Sequence, residues 1–462
     1  VAAGLLAAAP AAAQQPIALT FDAAAALAAE RHPAMVAARS RSAAAVAARE
    51  QAESAWLPRV GVEAQYQNVG PIPTLQIDTG ITPPGAPSPL VIEREVGAMH
   101  QAYLGARVGW RATDFGARDL RVEAGEQGVS SSEAQAEQTA LDVATGARRA
   151  YVSWAYFHEV GALVERQLSV SAAELAHQEA RLQAGLASDT EVAGARARQA
   201  ALASRRLEVQ QGEAQAAATL CALLGLPEGA KLLFGEGLAP LADRARAVLL
   251  GGTHRGEPPE LAALERQAHA AELLAESIAR SWAPTVDLTA SGRYQLPRTF
   301  VDTDEAGFAW AAGVALTWSA FDGGLRSAEA REALATRDSL RAGLAAARES
   351  WALQAAVARA QLVAADGRLD AARVQLEAAG QFHAAAATAL KAGLGTYLDV
   401  LRAEDQRDQA EAGQRKAHFD AAMALVDWLA AAGAVPATPP REPAPAASAS
   451  DSVEDTFSGG PP

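Results

Sequence analysis

The residue types from which reactive sites are built are sparse in this chain and do not converge. Its eight histidines are scattered, and His32, His158, His177, His269, His383 and His418 fall within helical patterns rather than at ligand spacing. The single cysteine, Cys221, lies in the apolar run Leu220-Cys-Ala-Leu-Leu224. Alone it makes neither an intrachain disulfide nor a cysteine metal cluster, and its neighbours predict a small buried hydrophobe. Asp302-Thr-Asp-Glu305 has the acidic look of a calcium loop but lacks the downstream ligands, so it reads as an acidic hairpin tip. Gly-x-Ser-x-Gly, His-Glu-x-x-His and phosphate-loop motifs do not occur. The expectation is a protein that is not an enzyme and needs no cofactor or metal.

Composition turns the question from chemistry to architecture. The 462 residues are only 5% aromatic and 20% charged, and alanine supplies about a quarter of them, which favours long helices packed closely through small side chains. With 40 Lys+Arg against 54 Asp+Glu, the formal net charge of −14 repels a phosphate backbone, so nucleic acid is not an expected partner. Residues 1–13 read as the remnant of a secretory signal closing on Ala11 and Ala13. Beyond them no apolar run reaches the roughly 18 residues of a spanning helix. Contact with a membrane therefore has to be made by strands.

Two copies of one unit are written along the chain. At an offset of 226, Pro33 falls on Pro259, Trp56 on Trp282 and Pro58 on Pro284. At an offset of 208, Trp110 falls on Trp318, Asp114 on Asp322, Gly116 on Gly324, Arg118 on Arg326, and Ala184-Gly-Leu186 on Ala392-Gly-Leu394. The two offsets differ by one loop, the Pro-rich stretch from about Asn68 to Ala98, as expected when length variation is confined to loops. The expected organisation is a first repeat over 17–227, a connector over 228–257, a second repeat over 258–433 and a disordered tail over 434–462.

Each repeat switches between two periods. Val60, Val62, Ala64 and Tyr66 alternate with Gly61, Glu63, Gln65 and Gln67, and Val286, Leu288, Ala290 and Tyr294 are set against Asp287, Thr289 and Arg293. Leu104, Ala106, Val108 and Trp110, then Phe308, Trp310, Ala312, Val314 and Leu316, repeat the pattern on the return. These are four half-apolar strands with the length of a lipid-facing barrel wall, although a soluble sandwich with one buried face fits the same alternation. After each hairpin comes a segment of 67 residues without proline, Arg118 to Ala184 and Arg326 to Ala392. At ~1.5 Å rise per residue each predicts a helix of roughly 100 Å. Heptad-like stripes run along them: Val143, Ala147, Ala150, Trp154, Phe157, Gly161, Val164 and Leu168 in the first, Trp351, Ala355, Ala358, Leu362, Ala365, Leu369, Ala372 and Leu376 in the second. Glycine turns at Gly185 and Gly393 then reverse the chain into returning helices of about 35 residues. Stacked on the 24-residue helices that precede the hairpins, these nearly match the long helices and give four helical columns per chain.

Leu19-Thr-Phe-Asp-Ala-Ala-Ala-Ala-Leu27 with His32-Pro33, then Trp318-Ser-Ala-Phe-Asp-Gly-Gly324, and Gly393-Leu-Gly-Thr-Tyr-Leu-Asp-Val-Leu401, resemble the TolC-like outer membrane efflux channels of Gram-negative bacteria. The likeness runs from about Ile17 to Gly433. His32 stands where that family usually has Asn, Ala320 where it usually has Pro, and Thr113-Asp-Phe-Gly116 is a degraded copy of Phe-Asp-Gly-Gly. The resemblance implies a mainly α protein with a membrane β part: a long antiparallel helical barrel in the periplasm, and four strands per chain in a homotrimeric 12-stranded barrel in the outer membrane. It implies a passive duct for export of small molecules or ions, working with outer membrane lipid, a periplasmic adaptor (membrane fusion protein) and an inner-membrane pump of RND or ABC type. Gly185, Leu186, Ser188, Gly393, Leu394 and Thr396 are the expected adaptor contacts at the tips. Asp399 matches an acid that lines the closed entrance in similar channels, but Arg402 takes the place of a second Asp, leaving Glu404 and Asp405 either to compensate or to be solvated helix charges. Asp322, Gly323 and Gly324 are expected to form the strand-to-helix turn. An exported coiled-coil scaffold or adhesin without transport is the alternative.

Overall fold

The computed structural model describes residues 17–95, 98–227, 229–230, 232–251, 256–298 and 305–434. The signal remnant, the tail beyond 434 and all of the acidic tip except Glu305 lie outside them. In chain order the elements are β1 (Ile17–Leu19), α1 (Phe21–Arg31), α2 (Pro33–Glu53), β2 (Arg59–Asn68), β3 (Thr74–Asp78), β4 (Val91–Glu95), β5 (His100–Thr113), α3 (Ala117–Gln183), α4 (Asp189–Leu223), β6 (Leu232–Phe234), α5 (Leu238–Gly251), α6 (Pro259–Arg280), β7 (Thr285–Leu296), β8 (Gly307–Thr317), α7 (Leu325–Lys391) and α8 (Tyr397–Ala431). The two long helices are each 67 residues and the two returning helices each 35, within one residue of the expected bounds. The chain forms two compact units.

One unit comprises the described parts of Val1–Val36, Gln138–Gly256 and Leu353–Pro462. Its core gathers Phe21, Ala24 and Ala28 of α1, the α3 stripe around Ala147, Tyr151 and Trp154, Leu220 and Leu224 at the end of α4, and Leu425 and Val426 of α8. The α7 stripe from Ala355 to Ala365 joins the same core, so both predicted stripes are inward faces and alanine sets how closely the helices approach. Cys221 is buried here, and burial pushes its thiol pKa up, which keeps it unreactive. His32 is extended, as the residue before a proline must be, and its Nδ1 accepts the N–H of Ala34 at 3.1 Å. It thus caps the start of α2 as an asparagine would.

The segment between the repeats is more than a connector. β6 pairs in parallel with β1, and Leu238, Leu241, Ala242 and Ala245 of α5 enter the core. The buried Tyr151 hydroxyl donates to the carbonyls of Leu19 and Glu236 and accepts the N–H of Glu236, tying both short strands to α3. Arg246 then pairs with Asp366 and with Asp370, the latter at 2.9 Å, fastening α5 to α7.

The other unit comprises Ala37–Glu137 and Glu257–Ala352. Its four-stranded sheet has the order β2-β5-β7-β8, antiparallel throughout, leaving β2 and β8 as its edges. The Pro-rich loop carries a second antiparallel pair, β3 with β4, which its prolines and glycines concealed in the sequence. In register, Val62, Ala106, Gly292 and Trp310 form one row across the sheet, and Ala64, Leu104, Tyr294 and Phe308 the next. This face is apolar and uncovered, with Val62 and Trp310 each 76% exposed.

At the end of the sheet next to the helices one corner is built twice. Arg118 lies 4.0 Å over the Trp56 ring and Arg326 lies 4.6 Å over that of Trp282. Trp110 Nε1–H donates to the carbonyl of Trp56 at 2.9 Å, and Trp318 to that of Trp282 at 3.1 Å. Each arginine also pairs with an acid four residues earlier, Asp114 or Asp322, and donates to backbone carbonyls of the incoming helix and outgoing strand. Of the residues that repeat at the 226 and 208 offsets, Trp56, Trp110, Asp114, Gly116 and Arg118 with their counterparts are therefore those that turn strand into helix. Gly323 and Gly324 have φ of 70° and 91°, and Phe115 and Gly116 keep the same pair of conformations at 55° and 88°. The degraded motif retains its geometry at the cost of a phenylalanine in the left-handed region.

Phe115 is exposed, so little packing is lost with its ring. Phe115→Gly is expected to stabilise this corner by about 1 kcal/mol, and Gly116→Ala to destabilise it by about 1–2 kcal/mol. Denaturant unfolding of the detergent-solubilised protein followed by Trp fluorescence checks both signs.

Candidate functional site

The expected tip residues all lie in the first unit described, at the reversals between α3 and α4 and between α7 and α8. The two reversals are built alike. Gly185 and Gly393 both have φ of 71°, where a side chain is strained. Leu186 N–H donates to Arg181 carbonyl at 2.8 Å and Gly185 N–H to Leu182 carbonyl at 2.9 Å. The second turn repeats this from Leu394 to Ala389 and from Gly393 to Leu390. These paired bonds satisfy the last carbonyls of each long helix. The exit is capped as tightly. Ser188 Oγ accepts the N–H of Glu191 while Glu191 accepts that of Ser188, and Thr396 and Asp399 make the same reciprocal pair.

Ser188, Thr396, Gly185 and Gly393 are thus used up in holding the turns. Leu186 and Leu394 are not: they stand 69% and 86% exposed at the apices. Asp399 has a local partner at the start of α8. Hydrogen bonds from the Thr396 side chain, then from its backbone N–H, hold the Asp399 carboxyl below its ordinary range, with Arg402 adding to the effect. Glu191 is lowered in the same way, chiefly by the Ser188 N–H.

Behind the tips, charged groups join the two returning helices. Arg198 of α4 reaches Glu404 at 3.2 Å, Asp408 at 3.0 Å and Asp405 at 3.4 Å on α8. Burial would lower the guanidinium pKa, but the three carboxylates outweigh it and leave it raised. Glu404 and Asp408 are therefore largely enclosed around this arginine, while Asp405 stays more than half exposed at the edge of the cluster. Arg402 is exposed and faces no such cluster. Tyr397 adds a third contact by donating its hydroxyl to Glu174 of α3; burial, and then that carboxylate, push its pKa up to about 12. It stays a donor at any physiological pH. A cavity of about 290 Å³ lies between these groups, lined by Ser171, Glu174, Arg198, Tyr397, Leu401 and Glu404. The arginine gave no signal in the sequence, because one of several arginines on an Ala-rich helix looks like any solvated charge.

Asp322, expected at the strand-to-helix turn, is there: it accepts the N–H of Gly324 at 3.0 Å and binds Arg326. Among the described residues no group of three or more His, Cys, Asp or Glu is placed to hold a metal ion. What these residues do chemically is hold helix ends together and present two apolar apices, while the sheet presents an uncovered apolar face.

Known proteins fit this geometry. The family model for outer membrane efflux proteins matches residues 24–226 and 253–434. No curated protein matches the sequence significantly. Among solved structures, the open-state MtrE outer membrane channel of Neisseria gonorrhoeae is similar at a TM-score of 0.71 and 19% identity, covering 90% of each chain. The VceC outer membrane protein of Vibrio cholerae gives 0.67 at 20% identity, over 89% of this chain and 96% of that one. The CmeC outer membrane channel of Campylobacter jejuni gives 0.67 at 16%, over 89% and 85%. At such identities the likeness carries the fold alone. The family match covers most of the sequence and both repeats, and the chain belongs to the outer membrane efflux protein family.

Proposed function

We propose that three copies of this outer membrane efflux channel protein close one pore, each giving four strands to a 12-stranded barrel, with helical tips that dock a periplasmic adaptor. The observation that carries the reading is the sheet with one uncovered apolar face and two unpaired edges. Lipid can cover the face but cannot satisfy the N–H and C=O groups of β2 and β8. Pairing β2 of one copy with β8 of the next removes every edge. Two copies make a barrel of about eight strands, largely filled by its own side chains, whereas three leave a conduit.

The duct is passive. An inner-membrane pump of RND or ABC type supplies the energy, and the adaptor joins pump to duct. Leu186 and Leu394 supply the apolar contact for that adaptor, since the polar groups of both turns are satisfied within the turns. Arg198, with Glu404, Asp405 and Asp408, holds α4 to α8 in the closed arrangement; opening shifts these helices apart. Asp399 contributes negative charge at the entrance in addition to capping α8.

Single-channel recording in planar bilayers tests the duct. Wild-type protein is expected to insert pores of small, mostly closed conductance. Arg198→Ala leaves three carboxylates facing one another, removes about 2 kcal/mol of helix-to-helix attachment, and is expected to raise the open fraction by more than tenfold. A protein that forms no pores with or without this change is not a duct. Replacing both tip leucines, Leu186→Asp with Leu394→Asp, is expected to abolish efflux in cells while pores in bilayers stay unchanged; retained efflux removes the leucines from the docking surface. Acid gives a separate check. A carboxyl whose pKa is depressed by folding stabilises fully above its unfolded pKa and loses that stabilisation as pH falls through its folded value. Amide exchange at the start of α8 is therefore expected to quicken below the ordinary carboxylate range, and Asp399→Asn to abolish that pH dependence.

A further inference from the structure

The polar face of the four-stranded sheet carries one arginine on each of four successive rungs. Starting at the end next to the helices, the rungs are Arg111 with Asp287 and Ala315, then Arg59 with Gly109, Thr289 and Gly313. Gly61, Arg107, Ser291 and Ala311 follow, then Glu63, Gly105, Arg293 and Ala309. Two residues along a strand advance about 7 Å, so the four guanidinium groups spread over roughly 20 Å. Almost every other position on these rungs is Gly, Ala, Ser or Thr. A Cβ added at Gly61 or Gly109 meets nothing within 4 Å, and one at Gly105 falls 2.8 Å from the Cβ of Arg293, whose side chain occupies that space. The face is cleared for the arginines.

Only two carboxylates stand among them. Glu63 pairs with Arg107 at 3.1 Å and Asp287 with Arg111 at 2.9 Å. Arg59 and Arg293 have no carboxylate partner among the described residues, and Arg293 has only the Tyr103 ring, 5.9 Å away. Beside the first two rungs lies a recess of about 680 Å³ whose lining includes Arg59, Arg107, Arg111 and Arg121; Arg121 donates to Ser277 and likewise lacks an acid. This excess of positive charge sits in a chain whose net charge is −14. Lysine is absent from these strands, so each cation is a planar, permanently charged fork suited to oxyanions.

We infer that the barrel lumen is an anion-binding path, and that this duct accommodates polyvalent oxyanionic solutes such as phosphorylated or polycarboxylated compounds. The inference rests on the pore reading, because only a closed barrel turns the polar face into a lumen in which three copies of the ladder face one axis. An excess of fixed positive charge between low-dielectric walls concentrates anions there.

Inorganic tripolyphosphate is the probe. Calorimetric titration of the purified full chain in detergent is expected to show saturable binding that weakens as KCl is raised. Arg59→Gln with Arg293→Gln is expected to weaken it by about tenfold or more. Both side chains are exposed and free of acids, so the variant is expected to elute at the same size as the wild type; Arg121→Gln, outside the sheet, gives an independent second variant. Absence of saturable binding, or equal binding by wild type and both variants, overturns the proposal. In bilayers, tripolyphosphate is expected to block the current. Conduction indifferent to it sinks the anion path and leaves the channel, whereas binding by a protein that never conducts sinks the channel and leaves the anion site.

Discussion

Backbone hydrogen bonding at two sheet edges governs the rest of this molecule. β2 and β8 each present a row of donors and acceptors with no strand partner among the described residues, and hydrocarbon offers none. A soluble protein covers such an edge with a helix or loop. Here the same sheet shows an apolar face too large and continuous for water, so the edge has to be completed by another copy. Oligomerisation, a closed barrel and an inner polar face all follow from that requirement.

The second governing feature is duplication. The same arginine-over-tryptophan corner appears at both strand-to-helix joints, and the same turn closes both helical hairpins. Since each solution is local, a copy inherits it whole. The copies then diverge where geometry allows: Phe115 keeps the backbone conformation that Gly323 adopts without strain, and among the described residues only the first repeat carries the extra β3–β4 pair. The electrostatics diverge too. Acidic side chains of α8 gather on Arg198, while the polar face of the sheet is dominated by arginine.

Much of this was legible without coordinates because it rests on periodicity. The long helices fall within one residue of the segments between Arg118 and Ala392, since glycine turns and proline-free runs mark a helix strongly. The apolar alternation at Val60–Tyr66 and Phe308–Leu316 survives as one face of a sheet for the same reason. Where the signal was short or non-local, reading failed. β6 and α5 looked like a linker because three residues of strand and one Gly/Pro-flanked helix carry little pattern, and their value lies in contacts with Tyr151 and Asp366 far away in sequence. Glu404 and Asp405 looked ambiguous because their partner is on a different helix, 206 residues from Glu404. Arg118 and Arg326 were visible as repeats, but only their position over Trp56 and Trp282 shows why both copies retain them.

The self-sufficiency of the two helical reversals has an evolutionary side. Glycine conformation, paired carbonyl bonds and reciprocal caps meet every polar demand of the turn from within about ten residues, so Leu186 and Leu394 owe nothing to the fold. Substitution can sample those two apices without disturbing the turns, so the exposed surface of the reversals is free to change while the scaffold beneath it stays under unchanged selection.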